Sequence, residues 1–330
     1  MPQPHVFDLH CDTLDALAMR NAGPWAEQAA SADGDLLHNN LALDARRMRA
    51  AAAWAQCFAI FVPDDLLGYP SPDPLSFYRT VRDYFKAQCM EHADAVVQVR
   101  DARDVDAILA TERVAALLTV ENGSPVGNDL GIVDEWAADG VKMVTLTWNG
   151  RNTIASGHDT SEGLSPFGRD VVRALEEHRI VVDVSHLNDE GFWDLMKVVR
   201  RPFAASHSNL REVCGHKRNL TDDQFRAIRD AGGIVGINYF TEFVRDGARG
   251  PSDVSFDDLC AHLERMLDLG GERVVALGSD FDGCTPPSWL DSCTCLPSLY
   301  QRIDERFGTE VANRLFFENA RDFFVRNETA

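Results

Sequence analysis

No stretch of the chain approaches the roughly 20 apolar residues of a membrane-spanning helix. Its start, Met1-Pro-Gln-Pro-His5, lacks a charged segment followed by an apolar one. Neither a membrane span nor a secretory leader is therefore expected. Basic clusters are equally scarce. None is longer than Arg46-Arg47 or Lys217-Arg218, and 32 basic against 52 acidic residues leave a formal charge of −20. Nucleic acid and anionic membrane surfaces are poor partners for such a chain. No Gly-x-Gly-x-x-Gly turn opens a helix, which argues against a dinucleotide-binding sheet. The eight cysteines are irregularly spaced in a chain long enough to bury its own core. They need no disulfide framework, so a reducing cytoplasm is the expected setting. Cys293 and Cys295 stand closer than a Cys-x-x-Cys pair, have no second pair nearby, and read as part of a loop.

What is present is a rhythm. Eight β-rich runs, at 5–10, 53–62, 114–121, 141–149, 179–186, 202–207, 233–240 and 274–280, are separated by other sequence. Amphipathic helical stretches such as 170–178, 189–199, 222–231 and 256–269 fall among them. Val114-Ala-Ala-Leu-Leu-Thr-Val120 and Ile180-Val-Val-Asp-Val184 are almost continuously apolar, as in strands covered on both faces. Strands alternating with helices imply a parallel sheet. Eight such units in 330 residues predict an α/β fold, a (β/α)8 TIM barrel with loop insertions, as one domain over 1–330. A doubly wound open sheet is the competing arrangement. The Pro-rich stretch 63–74 and the irregular stretch 284–297 read as loops after the second and last strands. The tail 310–326 has helical apolar spacing and is expected to pack on the barrel.

Active sites of such barrels lie at the carboxyl ends of the strands. The polar residues ending the runs are His10 with Asp12, Gln56, Glu121, Trp148 with Asn149, His186, His207, Asn238 with Tyr239, and Asp280. Three histidines and three carboxylates thus gather on one rim. Desolvated together, the carboxylates would repel one another unless a cation is present. Imidazole and carboxylate are the ligand types that suit zinc and similar divalent metals.

Six short motifs appear in order: His10-Cys-Asp12, Val120-Glu121-Asn-Gly123, Asp183-Val-Ser-His186, Ala205-Ser-His207-Ser208, Lys217-Arg218-Asn219 and Gly278-Ser-Asp280-Phe-Asp282-Gly283. Together they resemble the membrane (renal) dipeptidase family of the metal-dependent amidohydrolase superfamily. The resemblance implies a hydrolase with two Zn2+ per subunit that cleaves small dipeptides, L,L- and L,D-, through a metal-bridging hydroxide. His10 and Asp12 match the ligands of one ion, and His186 and His207 those of the other. Glu121 matches the carboxylate that bridges both. Asp280 matches the acid that handles the proton, and Arg218 the arginine that holds the substrate's terminal carboxylate.

The residues support these roles on chemical grounds. Two cations about 3.5–4 Å apart need an anionic bridge. Related barrels use a carbamylated lysine, but none of the four lysines here ends a strand, which leaves Glu121. Asp282 faces the same way as Asp280 and reads as structural. A planar guanidinium suits bidentate capture of a carboxylate. The alternative for Arg218 is a pair with Asp222 or Asp223. Asn149 and Tyr239 either line the substrate pocket or serve the core. His158 is placed to reach the site, whereas His216 and the remaining histidines read as ordinary. Trp148 departs from the family, whose animal members carry a histidine there that is thought to bond the oxyanion. It is expected to wall the substrate pocket, with Asn149, Arg151 and Asn152 as further donors nearby. The alternatives are another cyclic amide or lactam hydrolase, or a catalytically silent metal-binding homologue acting as an interaction protein. The expected partner is a small dipeptide, and a homodimer is compatible with the sequence.

Overall fold

The computed structural model describes residues 4–20, 32–71 and 73–329. Met1, Pro2 and Gln3, part of the start scanned for a leader, lie outside them. Nine parallel strands form one sheet: β1 His5–Asp8, β2 Ala53–Phe61, β3 Val96–Gln98, β4 Val114–Glu121, β5 Val141–Thr145, β6 Val181–Asp183, β7 Ala204–Ala205, β8 Ile234–Ile237 and β9 Val275–Leu277. The pairing β1–β2 and β2–β4 joins the two ends of the order, so eight strands close into a barrel. β3 is the addition. It pairs with β4 over 114–116, while β5 pairs with the same edge further along, from Leu118. Three residues with no strong alternation gave β3 no signal in the sequence.

The strands stop earlier than the apolar runs. His186 lies three residues past β6 and Asp280 three past β9, and both take left-handed backbone angles, φ 70° and 61°. Such residues cannot continue a ladder, so the site side chains stand on short turns that leave the sheet. His10 and Asp12 likewise follow the end of β1, and Cys11 between them makes one bridge to Phe281.

Alternate strand positions, among them Phe7, Leu117, Met143, Val181, Ile234 and Ala276, form one buried cluster that fills the barrel. The carboxyl-terminal helical segment closes its amino-terminal end, with Phe324 stacked on Phe7 at 5.5 Å and Phe317 against His5. The amphipathic helices lie close to their expected places, at Pro166–Glu177, Asp189–Leu195, Asp222–Asp230 and Phe256–Asp268. Two begin with capping boxes, Thr221 with Gln224 and Ser255 with Asp258, which satisfy first-turn N–H groups. No described helix is long and apolar enough to cross a membrane.

Candidate metal centre and substrate cavity

Glu121, the last residue of β4, sits at the centre of the barrel mouth. Its Oε2 lies 3.3 Å from His10 Nε2, and its Oε1 lies 2.8 Å from His186 Nε2 and 3.7 Å from His207 Nε2. One carboxylate therefore faces two sets of ligands with different oxygens. His10 Nε2 is also 3.4 Å from Asp12 Oδ2 and 3.8 Å from Asp280 Oδ1. His186 Nε2 and His207 Nε2 stand 3.0 Å apart. The expected rim residues His10, Asp12, Glu121, His186, His207 and Asp280 are thus brought together, all buried.

Supporting residues fix how the imidazoles point. His186 Nδ1 is 2.8 Å from Asn149 Oδ1, so an Nδ1–H donates there and the Nε2 lone pair faces Glu121. His207 Nδ1 meets Ser206 Oγ at 2.7 Å, and that hydroxyl donates to Asp183 Oδ2 at 2.5 Å. The chain Asp183, Ser206, His207 makes Nδ1 the donor and again leaves Nε2 free for an ion. Asn238, also on the expected rim, donates to Asp280 Oδ2 at 2.9 Å. Gly283 permits a close approach, since a Cβ there would collide with Asp12 Oδ2 and crowd Asp280 Oδ1.

The electrostatics of the bare chain are unbalanced. Burial, with Asp12 close by, pushes the Glu121 carboxyl up to about 8. Burial also raises Asp280 to about 7, although His10 opposes the rise. His186 and His207 are driven well below the ordinary histidine value by burial and by the cations around them. Burial opposes a charge on His10 too, but Asp12 and Glu121 overcome it and raise its pKa. Among the described residues, buried His10 Nε2 and Asp12 Oδ1 have no hydrogen-bond partner. Imidazole nitrogens with free lone pairs beside unpartnered carboxylate oxygens are what divalent metals require, so the donor set fits them. No lysine competes for the bridging place: the four pair with Asp139, Glu328, Asp194 and Asp159.

A cavity of about 560 Å³ opens over this centre. Trp148 stands in its wall, edge-on to Phe61 at 5.0 Å and 6.3 Å from the His186 ring. Asn149 lines the cavity as well as holding His186. Arg151 and Asn152 do not serve as donors there. Arg151 pairs with Glu162, and the Asn152 amide donates to Leu146 O and Asn122 Oδ1. Of the two places read for Tyr239, substrate pocket and core, the structure gives the core: it is fully buried, edge-on to Phe281, and its neighbour Phe240 faces the cavity in its stead. Adjacent residues of an extended segment point to opposite sides, so a one-residue difference decides which is seen.

Arg218 is buried, 3.4 Å from Ser208 Oγ and 3.3 Å from His207 O, and lies over the Phe243 ring. It does not pair with Asp222 or Asp223, which take Arg265 and Arg226. Among the described residues no carboxylate lies at ion-pair distance from it. His158 lines the cavity as expected, while His216, read as ordinary, lines it too and packs on Phe243 at 4.6 Å. Asp282 is structural: it accepts from Ala42 N and Thr13 Oγ1. Gln56 is buried in β2 beside Trp54, away from the rim. Asp15, on the helix after β1, lines the cavity, and sequence reasoning passed over it because it ends no apolar run.

A family model described as membrane dipeptidase (peptidase family M19) matches residues 1–321. An uncharacterised protein encoded in the pqqA 5′ region of Klebsiella pneumoniae is 34% identical over 210 residues, which span 61% of this chain and 78% of that protein. An uncharacterised dipeptidase of Schizosaccharomyces pombe is 30% identical over 201 residues, 59% of this chain and 48% of its own. Among solved structures, a metallo peptidase from Rhodobacter sphaeroides, liganded with a phosphinate mimic of L-Ala-D-Ala, superposes with a TM-score of 0.87 at 28% identity. The match covers 98% of this chain and 99% of that one. A dipeptidase AC, a metallo peptidase of family M19, gives 0.87 at 29% identity over 99% and 100% of the two chains.

Proposed function

The chain belongs to the membrane dipeptidase family, and we propose that it is a binuclear zinc dipeptidase acting on small dipeptides. The observation that carries the reading is Glu121, whose two carboxylate oxygens face His10 on one side and His186 with His207 on the other. In this reading His10 and Asp12 would hold one ion and His186 and His207 the second, with Glu121 offering an oxygen to each set. Zinc held there would acidify a water and polarise the scissile carbonyl.

The chain's own groups do the rest. Asp280, held by the Asn238 amide, takes the proton of the attacking water and returns it to the leaving amine. Arg218 receives the terminal carboxylate of the substrate, which limits cleavage to dipeptides with a free carboxyl end. Trp148 walls the acyl side and Asn149 keeps His186 oriented. Tolerance for a D-residue at the carboxyl side is proposed from the similar Rhodobacter sphaeroides peptidase, which binds a mimic of L-Ala-D-Ala. All eight cysteines are free thiols, which supports a reducing, cytoplasmic setting.

A panel of L,L- and L,D-dipeptides, their carboxyl-terminal amides and cyclic amides tests this reading. Dipeptides with free carboxylates are expected to be hydrolysed fastest. Equal cleavage of acids and amides would remove Arg218 from its role, and preferred cleavage of cyclic amides would favour the lactam-hydrolase alternative.

A further inference from the structure

The cavity has two chemically different ends. At one end the wall is formed by His158, His216 and Phe243, with buried Arg218 close to them and over the Phe243 ring but not itself in the lining. Across the mouth lies Asp15, between the ends of β1 and β2 and beside Phe61. Arg218 follows β7. In the closed sheet β8 and β9 separate β7 from β1 one way, and β4 to β6 separate it from β2 the other. Glu121 lies within electrostatic reach of both Asp15 and Arg218.

Asp15 is under-partnered for a carboxylate. Oδ2 accepts the Phe61 N–H at 2.8 Å, and buried Oδ1 has no hydrogen-bond partner among the described residues. Asp12, Glu121 and Tyr69 stand near it, and none of them carries a positive charge. An unpartnered carboxylate oxygen in the cavity wall is left for a donor that arrives from the cavity. A zwitterionic dipeptide lying from Arg218 across the metal centre would bring its amino-terminal half to that place.

We propose that Asp15 is a specificity-determining residue that holds a cationic nitrogen of the substrate's amino-terminal residue. The inference rests on the dipeptidase reading and deepens it: the enzyme would recognise charge at both ends of its substrate. The nitrogen is either the α-ammonium or a basic side chain, and both offer a donor for the free oxygen.

The test uses the full-length, metal-loaded protein and two substrate pairs. L-Ala-L-Ala against N-acetyl-L-Ala-L-Ala probes the α-ammonium, and L-Lys-L-Ala against L-norleucyl-L-Ala probes the side chain. In the wild type, one pair should differ in kcat/KM by roughly 10- to 100-fold, the scale of a hydrogen bond to a charged group. Asp15→Asn keeps an acceptor for Phe61 N–H and should reduce that ratio to within a few-fold, mainly through KM. Affinity for a phosphinate mimic of L-Ala-L-Ala, with and without N-acetylation, gives the same comparison by calorimetry without turnover. A ratio unchanged by Asp15→Asn, in an enzyme that cleaves dipeptides, overturns the assignment alone. A metal-loaded wild type that cleaves no dipeptide overturns the dipeptidase reading and this inference with it. An Asp15→Asn protein that loses its thermal transition is replaced by Asp15→Glu, for which the assignment predicts that the ratio is retained.

Discussion

Asp183, the last residue of β6, and Asp8, the last of β1, make the same local arrangement on two sides of the barrel. Asp183 accepts the N–H and hydroxyl of Ser206 at 2.9 and 2.5 Å; Asp8 accepts those of Ser279 at 2.8 and 2.5 Å. Each serine is followed by a site residue, His207 in one case and Asp280 in the other. What differs is where the serine oxygen turns. Ser206 Oγ also meets the His207 imidazole, whereas Ser279 Oγ lies 3.1 Å from the backbone carbonyl of His10, which competes with Asp8 for its one proton. One bracket therefore fixes a side-chain tautomer, and the other fixes only backbone. The histidine half is built to present lone pairs. The acidic half holds Asp280 by Asn238 and leaves its carboxyl able to exchange a proton.

Glu121 joins the halves, so removing it should break the comparison outright. Glu121→Ala is expected to lower metal content below two equivalents and to cut dipeptide turnover by about 10³-fold or more. Metal analysis and steady-state kinetics check it. Asp280→Asn should separate ligation from proton transfer. Turnover is expected to fall by about 10²–10⁴-fold while metal content stays near that of the wild type.

The two brackets can be compared directly. Ser206→Ala should weaken metal affinity by about 10–100-fold, because it frees the tautomer of His207. Ser279→Ala should leave metal affinity within a few-fold and instead lower stability by about 1–3 kcal/mol, the cost of an unsatisfied buried carboxylate oxygen. Competition with a chelator and thermal denaturation distinguish the two. Equal effects on metal binding would show that the halves are not different in kind.

The smallest expected effect is on the pH dependence of stability. Without metal, the folded chain holds protons on Glu121 up to about 8 and on Asp280 up to about 7, against ordinary values of 4.5 and 3.8. The unfolded chain releases them earlier, so it binds fewer protons across that interval. His186 and His207, held neutral by burial, act in the opposite sense below about 6.5, so stability of the chelated protein should fall as pH rises from about 6.5 to about 8. Metal replaces those protons, and the loaded protein should show little slope in this range. A chelated protein with a flat Tm profile between about pH 6.5 and about 8 would contradict the burial argument.

Much of this arrangement is legible in the sequence. Periodicity and near-continuous apolar runs specify the parallel barrel, because strands covered on both faces leave few polar positions until they reach the rim. His10, Glu121, His186, His207 and Asp280 are conspicuous for that reason. Roles that depend on a single residue's facing were harder to read. Tyr239 and Phe240 differ by one position, and the left-handed turns after β6 and β9 reset the alternation. Asp183 and Ser206 sit inside the motifs but look like ordinary strand polar residues until their shared hydrogen bonds are seen. Asp15 and His216 lie on a helix and a loop, where neighbours in space are distant in sequence and no pattern marks them.

The central claim is that two ions, spanned by Glu121, make this chain a dipeptidase. Its most direct test is turnover of a dipeptide such as L-Ala-L-Ala as the metal-free protein is titrated with zinc. The account predicts that activity is absent after chelation and rises to a plateau at two equivalents per chain. Full turnover by protein shown to be metal-free, or a plateau at one equivalent, would contradict it.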